Sequence, residues 1–126
     1  MPEEVALIVD AENRECGSAP RSRVRAERLW HRATYVFVQD SSGQLYVQKR
    51  TMTKDIYPGY YDPATGGVVL AGEDWNESAR RELAEEMGIR DVPLTVHGDF
   101  AWEDEKSRVW GRIFSCHWDG PIVPQP

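Results

Sequence analysis

Three glutamates near the end of one predicted helix have the spacing in this chain that most directly suggests chemistry. Glu82, Glu85 and Glu86 stand at positions i, i+3 and i+4, so a helix places their carboxylates along one edge. Each like-charged pair costs roughly 0.2–0.5 kcal/mol, and the helix dipole disfavours negative charge near a C-terminus. A divalent cation removes this conflict, because Mg²⁺ prefers carboxylate oxygens and retains waters that a phosphate group can replace.

The helix that must carry these glutamates has clear start and stop signals. Asp74 is a good N-cap residue, and Glu77 stands three positions later, which predicts a capping box. Gly88 is the expected C-terminal stop. A buried stripe is predicted from apolar residues that recur every four positions: Ala79, Leu83 and Met87.

The same stretch carries a longer pattern than a solvated acidic face would need. Such a face is the alternative interpretation, but it requires neither the glycines nor Arg81 at fixed offsets. Gly67, then Glu73, then the run RELAEEMGI from Arg81 to Ile89 match the Nudix box at every defined position. The chain therefore resembles the Nudix hydrolases, which cleave diphosphate linkages, usually in nucleoside diphosphates joined to another moiety.

The resemblance implies roles for the residues of the box. Glu82 and Glu86 would be the principal ligands of Mg²⁺, with Mn²⁺ as a second option, and Glu85 would be a further ligand. The carbonyl of Gly66 would be a backbone ligand. Two further residues have a predicted catalytic role: Arg81 would orient Glu73 through an ion pair, and Glu73 would bind the metal through water or brace the loop.

A general base and substrate contacts are also needed for diphosphate hydrolysis. Glu82 is our first candidate for the base, and the fallback is the acidic pair Glu103 and Asp104, in the turn between the last two predicted strands. Four basic residues could bind substrate phosphates: Arg32 before the first core strand, Lys49 and Arg50 at the end of the second core strand, and Lys54 in the loop that follows.

Three features flank the box: LWHRA from Leu29 to Ala33, Asp40-x-x-Gly43-x-Leu45 and Pro58-Gly59-x-x-Asp62. In these features the chain resembles the Nudix branch that includes isopentenyl-diphosphate isomerase. The shared features run from about Leu29 to Gly88 and raise isomerisation of a prenyl diphosphate as a rival function. Against it, this chain has Thr65 in place of the catalytic cysteine and Gly67 in place of a metal-binding histidine. His31 falls where the isomerase has another metal histidine, but we expect it to be structural because a metal site needs converging ligands.

The predicted elements include strands from Gln44 to Arg50 and from Val68 to Leu70. The order of all predicted elements places the chain in the α+β class with a mixed sheet, and the resemblance implies an α/β/α sandwich. We predict an N-terminal hairpin and short basic helix over 1–32 and a Nudix domain over 33–126. The family's C-terminal helix is expected to be absent, so that the domain is truncated and one sheet face lacks its cover. An exposed apolar face of that size favours a homodimer, and a catalytically inactive binding module is a third hypothesis.

Composition limits the remaining possibilities. A chain of 126 residues with 40% hydrophobic residues fits one globular domain. The net charge of −6 argues against nucleic-acid and anionic-membrane partners, although a small-molecule diphosphate substrate is compatible with it when a metal is bound. Two cysteines are too few for a disulfide scaffold. The start MPEEVALIVD lacks the basic region of a signal peptide, so the expected location is the cytoplasm.

Overall fold

The structure is a computed structural model that describes residues 3–49, 61–62 and 64–123. Only the backbone is described at 48, 49, 61 and 62. In chain order the elements are β1 Val5–Val9, β2 Glu15–Pro20, α1 Arg21–Glu27, β3 Trp30–Gln39, β4 Gln48–Lys49, β5 Tyr61–Asp62, α2 Trp75–Met87, β6 Thr95–Glu103 and β7 Arg108–His117.

Five strands form one mixed sheet in the order β2-β1-β3-β7-β6, and β4 pairs with β5 separately. β3 and β7 run parallel over their full lengths, from Trp30 opposite Arg108 to Gln39 opposite His117. The other pairings in the sheet are antiparallel. The predicted α+β class with a mixed sheet is therefore confirmed.

The helices lie on opposite faces of this sheet. Leu83 of α2 packs in the main core with Val36, Val38 and Phe114 from the two central strands. Val24 of α1 packs in a smaller cluster with Ala6 and Ala19. Ala6 and its neighbour Leu7, which belongs to the main core, point to opposite faces because side chains alternate along a strand. The resulting layers form the predicted α/β/α arrangement.

The predicted N-terminal hairpin and short basic helix are present, and the hairpin belongs to the central sheet. β1 pairs with β3 at Ile8 opposite His31. It also bonds to the segment just before α2, where the Leu7 amide donates to the Val69 carbonyl over 3.0 Å. The predicted domain boundary at residue 32 stays a prediction.

Two predicted strands take a different form. Over its described part, which excludes Arg50, the strand predicted from Gln44 to Arg50 is reduced to a bridge at Leu45 and the two residues of β4. Its pairing with β3 ends at Tyr46, and β4 pairs with β5 instead. The segment 68–70 makes only isolated bridges. Its hydrogen bonds are divided between two strands, since Val69 donates to Arg32 of β3 and accepts from β1.

The sheet face opposite α2 carries apolar residues beyond the part covered by α1. Tyr35 and Phe100 contact each other with ring centroids 5.4 Å apart, and Trp102 on the edge strand is 57% exposed. The predicted dimerisation through this face stays a prediction. Within the described ranges, neither helix has the length and apolar character needed to cross a membrane.

His31 is held by the backbone at the start of β3. Its Nδ1 lies 3.0 Å from the Leu29 carbonyl oxygen. Burial lowers the pKa of the His31 imidazole, and hydrogen bonds with the backbone of Leu29 and Arg108 offset this only in part. The His31 ring is therefore buried and held by the backbone, which fits the structural role expected from the sequence.

This burial makes fold stability depend on pH. The unfolded chain takes up a proton on His31 near pH 6.5, whereas the folded chain does so at lower pH. The free energy of unfolding should therefore decrease as the pH is lowered from 7.5 to 5.5. Urea titrations at several pH values measure this change. The His31→Gln variant should have a shallower slope, and an identical slope would contradict the assignment.

Candidate active site

The helix that carries the three glutamates begins and ends where the sequence predicts. The Asp74 carboxylate accepts from the Glu77 amide over 2.8 Å, and the Glu77 carboxylate accepts from the Asp74 amide over 3.1 Å, which completes the capping box. Gly88 forms the C-cap with φ of 69°. The predicted stripe is buried, with exposures of 3% or less at Ala79, Leu83 and Met87.

Gly67 lies directly against the carboxylate of Glu82. A Cβ atom at this position would lie 2.9 Å from Oε1 of Glu82. The backbone at Gly67 is in turn fixed to β3, because its carbonyl accepts from the Thr34 amide over 2.9 Å. Glycine at this position therefore allows Glu82 to pack against the strand segment, where its side chain is only 13% exposed.

Gly66 connects the same segment to Glu86. Its amide donates to Oε2 of Glu86 over 3.2 Å. Its φ of 145° favours glycine, and a Cβ atom would lie 2.0 Å from the Thr34 carbonyl oxygen. The Gly66–Gly67 pair thus brings backbone close to two of the three helix carboxylates.

The guanidinium of Arg81 joins the acidic groups of the site. It forms the predicted ion pair with Glu73 through two hydrogen bonds, from Nε over 2.6 Å and from Nη2 over 3.1 Å. Nη2 also donates to the Val68 carbonyl over 3.2 Å. Nη1 donates to Glu82 over 2.8 Å and to Glu85 over 3.2 Å. Glu73 completes the network by accepting from the Leu70 amide over 2.9 Å.

These contacts move the carboxyl pKa values in opposite directions. Burial raises the pKa of Glu82, and the favourable charge and hydrogen bond of Arg81 offset this only in part. Burial also acts to raise the pKa of Glu73, but hydrogen bonds from Arg81 and the Leu70 amide outweigh it, so the net pKa is lowered. The pKa of Arg81 is raised, chiefly by its hydrogen bond with Glu73. Glu73 is therefore fixed as an anion, whereas Glu82 holds a proton more readily.

The donors fit a hard divalent cation in kind, because carboxylate and carbonyl oxygens are the ligands that Mg²⁺ prefers. Over the described ranges, no three Asp, Glu, His or Cys side chains already converge as a metal-binding group. The contacts explain why these carboxylates do not converge, since Glu82 and Glu85 are directed to Arg81 and Glu86 to the Gly66 amide.

The structure does not bring the fallback base candidates to α2. Glu103 pairs with Arg108 over 2.8 Å and with Arg28 over 3.5 Å. Asp104 accepts from the amides of Lys106 and Ser107 in the turn between β6 and β7. Glu103 is thus held in ion pairs at the end of β6 and Asp104 by turn amides, whereas Glu82 lies among the box residues.

Three of the predicted substrate residues cannot be placed in the same way. Arg50 and Lys54 lie outside the described residues. Lys49 belongs to β4, but its side chain is outside the description. The basic residues near the second core strand therefore keep their role as a prediction.

Sequence reasoning missed one acidic neighbour of the site. Glu4 lies close enough to contribute to the raised pKa of Glu82, while its own carboxylate pairs with Arg21 over 2.9 Å. This proximity depends on the hydrogen bonds between β1 and the segment 69–71. No motif near Glu4 in the sequence indicates that long-range pairing.

The fold and this site together define an α+β domain built around a carboxylate-bearing loop and helix. A family model described as the NUDIX domain matches residues 29–126. The chain therefore belongs to the Nudix family, as the spacing of its glycines and glutamates predicts.

Two relatives of known sequence support this assignment. An uncharacterised Nudix hydrolase of Yersinia pestis is 50% identical over 119 residues, which cover 94% of this chain and 65% of that protein. The uncharacterised Nudix hydrolase YfcD of Escherichia coli is 51% identical over 118 residues, 94% of this chain and 66% of that protein. The chain thus spans slightly less than two thirds of the length of these relatives.

A solved structure shows the same fold. The crystal structure of DR0079 from Deinococcus radiodurans has a TM-score of 0.80, with 98% of this chain and 77% of that chain covered. The identity is 23%, so this similarity concerns the fold alone.

The close approach of Gly66 to the Thr34 carbonyl can be tested by comparing two glycines with positive φ. Gly66→Ala should lower the free energy of unfolding by about 3 kcal/mol or more, because backbone strain and a clash with the Thr34 carbonyl add together. Gly43→Ala is the matched control. It has a φ of 87° but no atom within 4 Å of the added Cβ, so only about 1 kcal/mol is expected. Equal losses in urea titrations would contradict the close approach at Gly66.

Proposed function

We propose that this chain is a Mg²⁺-dependent hydrolase, with Mn²⁺ as a second option, that cleaves a phosphoric anhydride bond in a nucleoside diphosphate derivative or a related organic diphosphate. The observation that carries the proposal is the gathering of Glu73, Glu82 and Glu85 around Arg81, with Glu86 beside the Gly66 amide. Among the described residues, three carboxylates contact this one guanidinium and a fourth lies at the Gly66 amide. The excess negative charge is one that a divalent cation would balance.

The residues that would hold the ion are Glu82, Glu85 and Glu86, together with the Gly66 carbonyl. When bound, such an ion neutralises charge on the phosphates and lowers the pKa of a coordinated water. The buried position of Glu82 against Gly67 keeps one ligand close to the strand segment. The more exposed Glu85, at 46%, leaves the other side of the site open to a substrate.

Proton transfer is assigned to Glu82. Without a bound cation its pKa is raised, chiefly by burial, and it lies among the box residues that would hold the ion. Arg81 and Glu73 position the Glu82 carboxylate. Two hydrogen bonds with Glu73 fix the Arg81 guanidinium, and this guanidinium contacts Oε1 of Glu82. Lys49, Arg50 and Lys54 are proposed to bind the substrate phosphates.

A screen of candidate substrates separates this proposal from its alternatives. Cleavage products, namely inorganic phosphate, pyrophosphate or phosphomonoesters, are measured with Mg²⁺ over nucleoside di- and triphosphates, nucleotide sugars and prenyl diphosphates. Interconversion of prenyl diphosphates without phosphate release would indicate the isomerase instead. Cation binding without turnover of any compound would indicate an inactive binding module.

The metal assignment is tested by removing one carboxylate charge at a time from α2. Glu86→Gln should lower the hydrolysis rate by about a hundredfold or more, because a metal ligand supplies several kcal/mol of transition-state stabilisation. Glu77→Gln is the matched control, since it removes the same charge from the same helix and glutamine also completes a capping box. A Glu86→Gln variant with full rate would show that the assignment is wrong.

Cation affinity should depend on pH because metal binding needs the deprotonated carboxylate. Since the pKa of Glu82 is raised, Glu82 competes for protons at a higher pH than an ordinary glutamate. The apparent dissociation constant for Mn²⁺ should therefore increase as pH falls, approaching about tenfold per pH unit below that pKa. Titration calorimetry between pH 8 and pH 5 measures this. A Glu82→Gln variant with the same pH dependence would rule out Glu82 as its source.

A further inference from the structure

The two ends of the Arg81 guanidinium have different surroundings. Nε and Nη2 together make three hydrogen bonds, two to Glu73 and one to the Val68 carbonyl. Glu73 is itself held by the Leu70 amide. This side of the guanidinium is therefore fixed to the backbone of the segment before α2.

Nη1 contacts only side chains of α2 among the described bonds. It lies 2.8 Å from Oε1 of Glu82 and 3.2 Å from Oε2 of Glu85. The side chain of Glu85 is 46% exposed, whereas that of Glu82 is 13% exposed and packs on Gly67. Of the two carboxylates, Glu85 therefore has the greater freedom to move away from Nη1.

A divalent cation shared by Glu82 and Glu85 would bind two carboxylates that already contact Nη1. Mg²⁺ binds oxygen at about 2.0–2.1 Å, so its ligands must approach more closely than they approach Nη1. A guanidinium and a divalent cation in one place also repel each other, and the repulsion is weakly screened where groups are partly buried. The anchored side of Arg81 prevents the guanidinium from moving away easily.

From this geometry we infer that Nη1 of Arg81 is an exchangeable counter-ion that competes with the divalent cation for Glu82 and Glu85, while Nε and Nη2 remain bound to Glu73. The inference rests on the proposed function, because it concerns the same cation. Arg81 is then a positioning residue that keeps the carboxylates together and also limits cation affinity. Glu85 makes the exchange by leaving Nη1, and Arg81 stays in place.

The sign of a change in cation affinity tests this competition. Mn²⁺ binding is measured by electron paramagnetic resonance on the wild-type chain and on Arg81→Met. Loss of the competing charge should tighten binding by about two- to fivefold, the range expected for one partly exposed ion pair. Weaker or unchanged binding would overturn the inference, since a residue that only held the ligands in position would lower affinity when removed.

Matched variants separate charge from structure. In Arg81→Met the carboxylate of Glu73 loses its partner. The double variant Glu73→Gln/Arg81→Met removes this charge as well, and it should still bind Mn²⁺ more tightly than the wild-type chain. Arg81→Lys restores a positive charge, so its affinity should return towards the wild-type value. An Arg81→Lys variant that binds Mn²⁺ as tightly as Arg81→Met would show that charge is not the cause.

A measurement on the unmodified chain covers the case in which Arg81→Met does not fold. Mg²⁺ is added while side-chain nuclear magnetic resonance signals are followed. The Glu85 carboxyl and Arg81 Nη1 signals should shift, whereas the Arg81 Nε–H signal should change little because its bond to Glu73 persists. Mg²⁺ binding that leaves the Nη1 signal unchanged would overturn the inference.

Failure of the proposed function has a different signature. Wild-type protein that binds no Mn²⁺, or that binds Mn²⁺ equally well after Glu86→Gln, would remove the cation from this site and the inference with it. Cation binding that needs Glu86 but is weakened by Arg81→Met would leave the proposed function in place and reject the competition alone.

Discussion

The hydrogen-bonded guanidinium of Arg81 is the interaction on which the arrangement of the site depends. It joins α2 to the segment before it through Glu73 and the Val68 carbonyl, and it holds Glu82 and Glu85 on the other side. A bidentate arginine–carboxylate pair fixes direction as well as charge. Without it, carboxylates that share a helix edge would repel each other and separate.

The sheet provides the surface against which this network is fixed. The segment 65–69 bonds to β3 at Thr34 and Val36 and to β1 at Leu7. These bonds set the positions of Gly66 and Gly67, and the glycines bring the backbone close to Glu86 and Glu82. The main core between α2 and the central strands then determines which helix edge faces the segment. The geometry of the site therefore depends both on the hydrogen bonds of the segment to the sheet and on the packing of α2 in the main core.

Local signals in the sequence predict this unit well. The cap at Asp74, the stop at Gly88 and the buried stripe through Leu83 are interactions between residues at most four positions apart or single-residue preferences. The ion pair between Arg81 and Glu73 was expected from the resemblance to the Nudix box. The structure confirms these elements, whereas the catalytic roles of the residues stay predictions.

The features that could not be predicted from the sequence depend on pairing between segments that are far apart in the chain. Nothing near Glu4 indicates that β1 lies beside the segment 69–71, so its effect on Glu82 was missed. The division of bonds at Val69 between two strands also turned a predicted strand into isolated bridges. Placement of α1 on the face opposite α2 follows from the alternation of Ala6 and Leu7, once the sheet order is known.

The parallel pairing of β3 with β7 has a consequence for how the molecule assembles. Trp30 meets Arg108 at one end of this pair, so more than half of the described chain, including α2, lies within the loop that the pairing closes. Such distant contacts slow folding, because the entropy of closing a long loop is lost before the contacts form. The turns of the loop–helix unit are local, but the core beneath α2 is complete only when Phe114 of β7 joins Val36 and Val38 of β3. The cluster of acidic groups should therefore reach its final arrangement in a late step of folding.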